Sequence, residues 1–161
     1  CITSQHKEML NDVLSFFEIR PDFDLEIMTP NQNLFDLTGD LIKKLKLVFE
    51  STLPDCVIVQ GDTTSAFVGA LAAFYSKIPV VHIEAGLRSF DKYSPFPEEL
   101  NRQFISRMAD YNFVPTESAK KHLISEGITK NIYVVGNTVV DTLSFVKESL
   151  LFIELVSRRV V

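Results

Sequence analysis

The chain holds only two cysteines, Cys1 and Cys56, among its 161 residues. Two cannot build the disulfide framework of a small secreted domain, so a reducing cytoplasm is the expected compartment. Basic charge is not in excess, with 16 Lys and Arg against 21 Asp and Glu and a formal net charge of −5. That balance lacks the footprint of a nucleic-acid binder or a polybasic membrane binder. No apolar run reaches the roughly 20 residues that cross a bilayer. The longest candidate, residues 150–161, is interrupted by Glu154, Arg158 and Arg159. The sequence has no G-x-x-x-x-G-K-[ST] loop, no G-x-G-x-x-G and no G-x-S-x-G, so neither a P-loop ATPase, an ordinary dinucleotide site nor a nucleophile elbow is signalled. No His/Cys spacing suits zinc, and neither a metal nor a cofactor is expected. There is also no initiating Met and no signal peptide. The opening Cys1-Ile2-Thr3 reads as the tail of a strand and the chain closes abruptly on Arg158-Arg159-Val160-Val161, so a piece of a longer protein is expected.

What is present is ordinary globular material, 46% hydrophobic and 23% charged, which excludes a disordered chain. Leu34, Leu37, Leu41, Ile42, Leu45, Val48 and Phe49 recur at helical spacing with charges between them. Cys56-Val57-Ile58-Val59 is a short continuous apolar run, predicting a strand buried on both faces. Residues 63–75 then predict a helix that is apolar nearly all round, with Gly69, Ala70, Ala72 and Ala73 permitting close approach to a sheet. The same alternation continues with a strand at 80–83, a helix at 97–108, a strand at 111–114, a helix at 117–124, a strand at 132–135 and a last helix opened by Gly136-Asn137-Thr138, where Thr138 and Asp141 are expected to form a capping-box-like pair. Strand, helix, strand, helix at this spacing predicts parallel βαβ units and an α/β doubly wound parallel sheet. The nine residues 88–96 carry no clear period and are expected to be a functional loop.

In an open parallel sheet, ligands bind beyond the carboxyl ends of the strands. That rule selects Asp62 after the strand at 56–59, Glu84 after the strand at 80–83, and the Gly136-Asn137-Thr138 turn. Asp62 reads either as a functional carboxylate or as a helix N-cap. Glu84 reads either as an acid/base group in a cleft or as an ion-pair partner of Arg88. Glu98 and Glu99 follow Pro97 and suit the first turn of a helix dipole. On that helix Leu100, Phe104, Ile105 and Met108 define an apolar arc that contains Asn101, and Glu98 can pair with Arg102 one turn on. A buried Asn needs partners. His82, within a strand, is expected to be a satisfied core histidine, whereas His6 and His122 read as surface. Three carboxylates, Asp62, Glu84 and Glu98, thus converge on one edge and suit proton transfer on a polar substrate.

Five segments in register carry a resemblance. They are Gln60-Gly61-Asp62-Thr63-Thr64-Ser65, Ala70-Leu71-Ala72-Ala73-Phe74-Tyr75, His82-Ile83-Glu84-Ala85-Gly86-Leu87-Arg88, Tyr93-Ser94-Pro95-Phe96-Pro97-Glu98-Glu99-Leu100-Asn101-Arg102 and Gly136-Asn137-Thr138-Val139-Val140-Asp141. Together they resemble the non-hydrolysing UDP-N-acetylglucosamine 2-epimerases over nearly the whole chain up to about residue 145, and Gln5-His6-Lys7-Glu8-Met9-Leu10 resembles a further segment of that family. The resemblance implies a Rossmann-like half of a glycosyltransferase B-type two-domain fold, with UDP-sugar in the cleft between the domains. It implies a partial N-terminal domain over residues 1–145, with residues 146–161 an interdomain helix or the start of a second domain. The family's first strand, its Gly-Thr-Arg-Pro-Glu loop and its second domain have no counterpart here.

The resemblance carries catalytic roles to Asp62, Glu84 and Glu98, and substrate binding to Asp62, Glu84 and Arg88. It also suggests a regulatory role for Gln5, His6 and Glu8, with Asn31 standing where some relatives place an Arg linked to a regulatory UDP-sugar site. Gln60 stands where many members have His, a neutral donor in both cases. The implied reaction interconverts UDP-N-acetylglucosamine and UDP-N-acetylmannosamine by proton removal at carbon 2 with loss and re-addition of UDP, needs no cofactor, and belongs to a homodimer. From Gln60 to Arg102 five acids face four bases, a balance that cannot grip a diphosphate well, so the fragment alone is expected to be inactive. Two alternatives are a catalytically dead nucleotide-sugar-binding or subunit-interaction module and half of a B-type glycosyltransferase.

Overall fold

The computed structural model describes residues 1–4, 7–28 and 32–157. Gln5, His6 and Asn31 lie outside the described residues, as does the 158–161 tail. Glu8 falls on the backbone of the first helix, α1 (Lys7–Phe16). The chain continues through α2 (Leu34–Thr52), β1 (Val57–Gln60), α3 (Thr64–Tyr75), β2 (Val80–Ile83), α4 (Glu98–Met108), β3 (Tyr111–Val114), α5 (Glu117–Ser125), β4 (Ile132–Val134) and α6 (Thr138–Ser157). The four strands are all parallel and lie in the order β1-β2-β3-β4. Each crossover carries one helix, as parallel pairing requires. The α/β architecture expected from the alternating pattern is therefore the one observed.

The helical spacing of α2 buries Leu37, Leu41, Leu45 and Phe49 along one stripe. Each such side chain contributes roughly 1.5–3 kcal/mol on full burial. Asn33 caps the helix by accepting from the Phe35 and Asp36 amides, and Leu53 ends it in the left-handed region before Pro54. The stripe joins Val68, Ala70, Ala72 and Ala73 of α3, and Val59, Val80 and Ile105, in one core cluster. A smaller cluster of Ala85, Val114, Ala119 and Leu123 lies under α5. Near the amino end, Ile2 donates its amide to Phe23 O (2.8 Å) and accepts from the Leu25 amide (2.9 Å), a short parallel pairing that sets Leu25 and Ile27 into the main core.

β1 departs from the expected double burial. Its residues alternate faces. Val59 is buried against α3, where a Cβ added at Gly69 would lie 3.2 Å from Val59 Cγ1, so the small residue does set the approach. Ile58, on the other face, is 60% exposed, and Cys56 is exposed as well. The cap of α6 also differs: Asn137 Oδ1 accepts from the Val139 amide (3.0 Å), so the asparagine does what the Thr138 and Asp141 pair was expected to do. Among the described residues no helix is long and apolar enough to cross a membrane.

Candidate active site

β1 and β2 end level with one another, with Gln60 registered against Ile83. The Gly61 amide donates to Ile83 O (3.0 Å) and the Ala85 amide to Phe113 O (3.0 Å), so the ladder runs on past the strand ends. Asp62 and Glu84 therefore leave the sheet side by side at its carboxyl edge. Gln60 Nε2 donates to Thr138 Oγ1 (3.2 Å), which brings the start of α6 to the same edge.

Asp62 is not the cap of α3. Thr63 takes that place, its hydroxyl accepting from the Ala66 amide (3.2 Å). The Asp62 carboxylate is thereby free of the helix and pairs with the Arg102 guanidinium on α4. Its backbone carbonyl accepts from Asn101 Nδ2 (2.9 Å), which supplies the partner a buried asparagine needs. Two adjacent residues of α4 thus hold Asp62 by main chain and side chain together.

Glu84 sits at φ +66, in the left-handed region. A non-glycine residue there costs roughly 1–2 kcal/mol, and the ladder bonds on either side of Glu84 hold it in place. Its half-buried carboxylate makes no hydrogen bond or ion pair with any described residue, and the pairing with Arg88 does not form. Arg88 instead forks onto Glu126, Nε to Oε1 at 2.7 Å and Nη2 to Oε2 at 2.8 Å, with its side chain fully buried. The turn between them needs Gly86. Its φ is +81, and a Cβ there would lie 2.4 Å from Ala119 O. His122 Nδ1 lies 3.0 Å from Gly86 O, and its ring packs edge-on to Phe90. The half-buried His122 is therefore a structural prop of this turn and not a surface residue.

The helix α4 carries the third carboxylate, and here the expected wheel is rotated. Its buried positions are Glu99, Asn101, Ile105 and Ser106, while Phe104 is 51% exposed. Arg102 does not pair with Glu98. It bridges Asp62 and Glu99, with Nη1 3.3 Å from Glu99 Oε2. Glu98 is half-buried and makes no hydrogen bond or ion pair with a described residue. It stands one helical turn before Asn101 and Arg102, the two residues that hold Asp62. Glu99 is fully buried and accepts from the Ser89 amide (3.0 Å), the Phe90 amide (3.4 Å) and Gln103 Nε2 (2.9 Å). Burial pushes its carboxyl up, but the Ser89 amide, Gln103 and Arg102 together hold it below the usual carboxylate range.

Below the site lies His82, fully buried in β2 as expected for a core histidine. Nε2 lies 2.9 Å from Gly61 O, which can only accept, so the proton sits on Nε2. Nδ1 then accepts from Ser106 Oγ at 3.3 Å. Burial depresses the ring's pKa to about 4, with the Arg88 charge acting in the same direction. His82 is thus a neutral donor that fixes the carbonyl before Asp62.

Among the described residues, no cluster of His, Cys, Asp and Glu could hold a metal ion. Among the described residues, Glu84 at the sheet edge and Glu98 at the start of α4 are half-buried carboxylates with no partner, while Asp62 at the edge is fixed by an arginine. Groups of this kind can accept and donate protons on a polar substrate. Sequence reasoning passed over Glu126, read Glu99 only as a first-turn charge and read His122 as surface. Each is a charged or polar residue in a helix or just past one, and only tertiary packing gives it a buried partner.

Residues 1–157 match the family model of the UDP-N-acetylglucosamine 2-epimerases. The chain is 54% identical over 151 residues to the UDP-N-acetylglucosamine 2-epimerase of Neisseria meningitidis, covering 93% of this chain and 41% of that protein. The crystal structure of the Neisseria meningitidis enzyme bound to UDP-GlcNAc superposes with a TM-score of 0.92 at 51% identity, over 98% of this chain and 43% of the other. The Methanocaldococcus jannaschii enzyme in complex with UDP-GlcNAc and UDP gives 0.78 at 42% identity, over 86% and 38%. The chain spans about two fifths of the length of the curated relatives it matches. With the family model matched from end to end of the described region and the strand-end turns in place, the chain belongs to the UDP-N-acetylglucosamine 2-epimerase family.

Proposed function

We propose that this chain supplies one wall of an active site that interconverts UDP-N-acetylglucosamine and UDP-N-acetylmannosamine. What supports the reading is that Glu84 and Glu98 are half-buried carboxylates without a partner among the described residues, and that Asp62 is held by an arginine of the helix that Glu98 opens. Inverting a carbon requires taking a proton from one face and returning one to the other. A single rigid side chain cannot reach both faces, so separate acid/base groups are needed. The carbon-2 proton goes to one group as the bond from carbon 1 to the UDP oxygen breaks, leaving a 2-acetamidoglucal. UDP then adds back at carbon 1 while a second group protonates carbon 2 from the opposite face. Water must be kept out while the two pieces are apart.

The two arginines nearest these carboxylates are already engaged, which supports a divided site. Arg88 is committed to Glu126 and Arg102 to Asp62 and Glu99. Diphosphate binding therefore falls to groups beyond this wall, and we assign it to a second domain, reached through residues 146–161. Residues 146–157 of that stretch continue α6. The parent protein is read as a cytoplasmic homodimer serving cell-envelope polysaccharide synthesis, with Gln5, His6 and Glu8 as regulatory contacts.

Calorimetric titration with UDP-N-acetylglucosamine, alongside an assay of carbon-2 proton exchange in deuterated water, tests the division. The 161-residue chain alone is expected to bind weakly and exchange nothing, because each lost charge-assisted contact to the diphosphate removes about 1.5–3 kcal/mol. The full-length protein carrying this domain is expected to do both. Micromolar binding with measurable exchange by the 161 residues alone would refute the divided site. Binding without exchange by the full-length protein would favour the alternative of a dead nucleotide-sugar module.

A further inference from the structure

The fully buried Glu99 belongs to no strand-end turn, yet it stands at the junction of two elements of the site. One carboxylate oxygen lies 3.0 Å from the Ser89 amide and 3.3 Å from Arg102 Nη1. The other accepts from Gln103 Nε2 (2.9 Å) and the Phe90 amide (3.4 Å). Arg102 in turn reaches Asp62 through Nη2, while its buried Nε has no hydrogen-bond partner. A guanidinium bound at both outer nitrogens and with no partner at Nε has its polar contacts set by the two carboxylates. Without Glu99, one end of that fork is released and the arginine can swing about its remaining contact with Asp62.

The loop anchored by Glu99 matters as well. Ser89 and Phe90 lie midway along the connection from β2 to α4, Phe90 at φ +64, and that connection leads into Glu98. The Glu99 amide itself bonds back to Pro95 O at 3.1 Å. The buried side chain therefore ties the middle of the connection to the arginine on Asp62, while the main chain of the same residue closes the start of α4.

We propose that Glu99 is a positioning residue, locking Arg102 onto Asp62 and fixing the loop that presents Glu98, so that carboxylates from two different strand ends keep one register. This rests on the reading of Asp62 as one of the acid/base groups. Glu99 does not touch substrate, and it acts through Arg102 and through the Ser89 and Phe90 amides. A misplacement on the order of 1 Å can cost a reaction about 10²-fold in rate, so a brace of this kind has a measurable effect.

Two measurements test it. The first is independent of catalysis and uses the 161-residue chain. In nitrogen-15 spectra the Arg102 guanidinium should show restrained rotation, which Glu99→Gln abolishes while also moving the Asp62 carboxyl carbon signal. Should Glu99→Gln fail to fold, Arg102→Lys replaces it: a lysine cannot fork two carboxylates, and the Ser89 and Phe90 amide signals should move although lysine touches neither. Unchanged Asp62 and Arg102 signals in Glu99→Gln, or unchanged Ser89 and Phe90 signals in Arg102→Lys, would overturn the brace. The second uses the full-length protein. Glu99→Gln should lower carbon-2 exchange at saturating substrate roughly 10- to 100-fold with KM little changed, and should cost clearly less in an Asp62→Asn background, where only the route through the Glu98 loop remains. A loss fully retained in that background would overturn the route through Asp62. Full activity of Asp62→Asn itself would sink the catalytic reading of Asp62, while the spectra would still decide the brace.

Discussion

His82 should make the stability of this domain fall between pH 6.5 and about 4, before the carboxylates protonate. The ring is fully buried, donates from Nε2 to Gly61 O, and has its pKa lowered from 6.5 to about 4, chiefly by burial. In the unfolded chain it titrates near 6.5, so between these values the unfolded state binds a proton that the folded state refuses. Stability is then complete above pH 6.5, declines as pH falls towards 4, and declines no further from this group below that. A depression of that size corresponds to roughly 3 kcal/mol. Against a total of about 5–15 kcal/mol for a domain, this is a large fraction. Glu99 acts in a separate window: its lowered pKa contributes stability above the ordinary carboxylate value, lost as pH falls through its own lower value. Urea unfolding at half-unit steps from pH 7.5 to 4.5 reads the effect. The control is His82→Gln, whose amide can still donate to Gly61 O but cannot titrate. The wild type should lose most of the roughly 3 kcal/mol across this range while the variant stays flat relative to it. Parallel curves for the two proteins would show that the buried imidazole is not the titrating group and refute the reasoning.

Three further outcomes are expected. In the full-length protein, Glu84→Gln should lower the rate by about 10²-fold or more with an unchanged urea midpoint, since the carboxylate has no described partner to lose; a near-wild-type rate would remove it from the chemistry. Glu84→Gly should raise stability by up to about 1 kcal/mol by relieving the left-handed backbone at φ +66, read by the same unfolding curves. Gly86→Ala should cost about 3 kcal/mol or more, combining an unfavourable φ of +81 with a Cβ placed 2.4 Å from Ala119 O, and circular dichroism melts would register it as a large drop in Tm.

Much of the fold was legible because it is written in local terms. The stripe of Leu37, Leu41, Leu45 and Phe49 fixes the inward face of α2, and the breaks at Pro54 and Gly127 fall where helices end. The strand-end rule then located Asp62 and Glu84 without any knowledge of packing, because parallel crossovers leave their polar turns at one edge. Harder to read was which of two similar neighbours takes a given role. Asp62 and Thr63 are both capping residues, and the threonine caps. Thr138 and Asn137 present the same choice, and the asparagine caps.

The helix α4 makes the same point where it bears on chemistry. Glu98 and Glu99 are adjacent acids in one first turn, about 100° apart on the helix. The dipole argument treats them alike, and the wheel drawn from Leu100, Phe104, Ile105 and Met108 places Asn101 and Ile105 inward correctly but turns Phe104 in rather than Glu99. What decides is the demand of the backbone around them. Ser89 and Phe90 bring two amide donors to a buried place, and buried donors require an acceptor. Glu99 meets both and takes Arg102 with it, so Arg102 is drawn away from Glu98 and onto Asp62. Glu98 is left without a described partner as a consequence of its neighbour's burial. A free carboxylate at the site therefore depends on a committed one beside it, and a doublet of acids serves both needs where a single residue could serve only one.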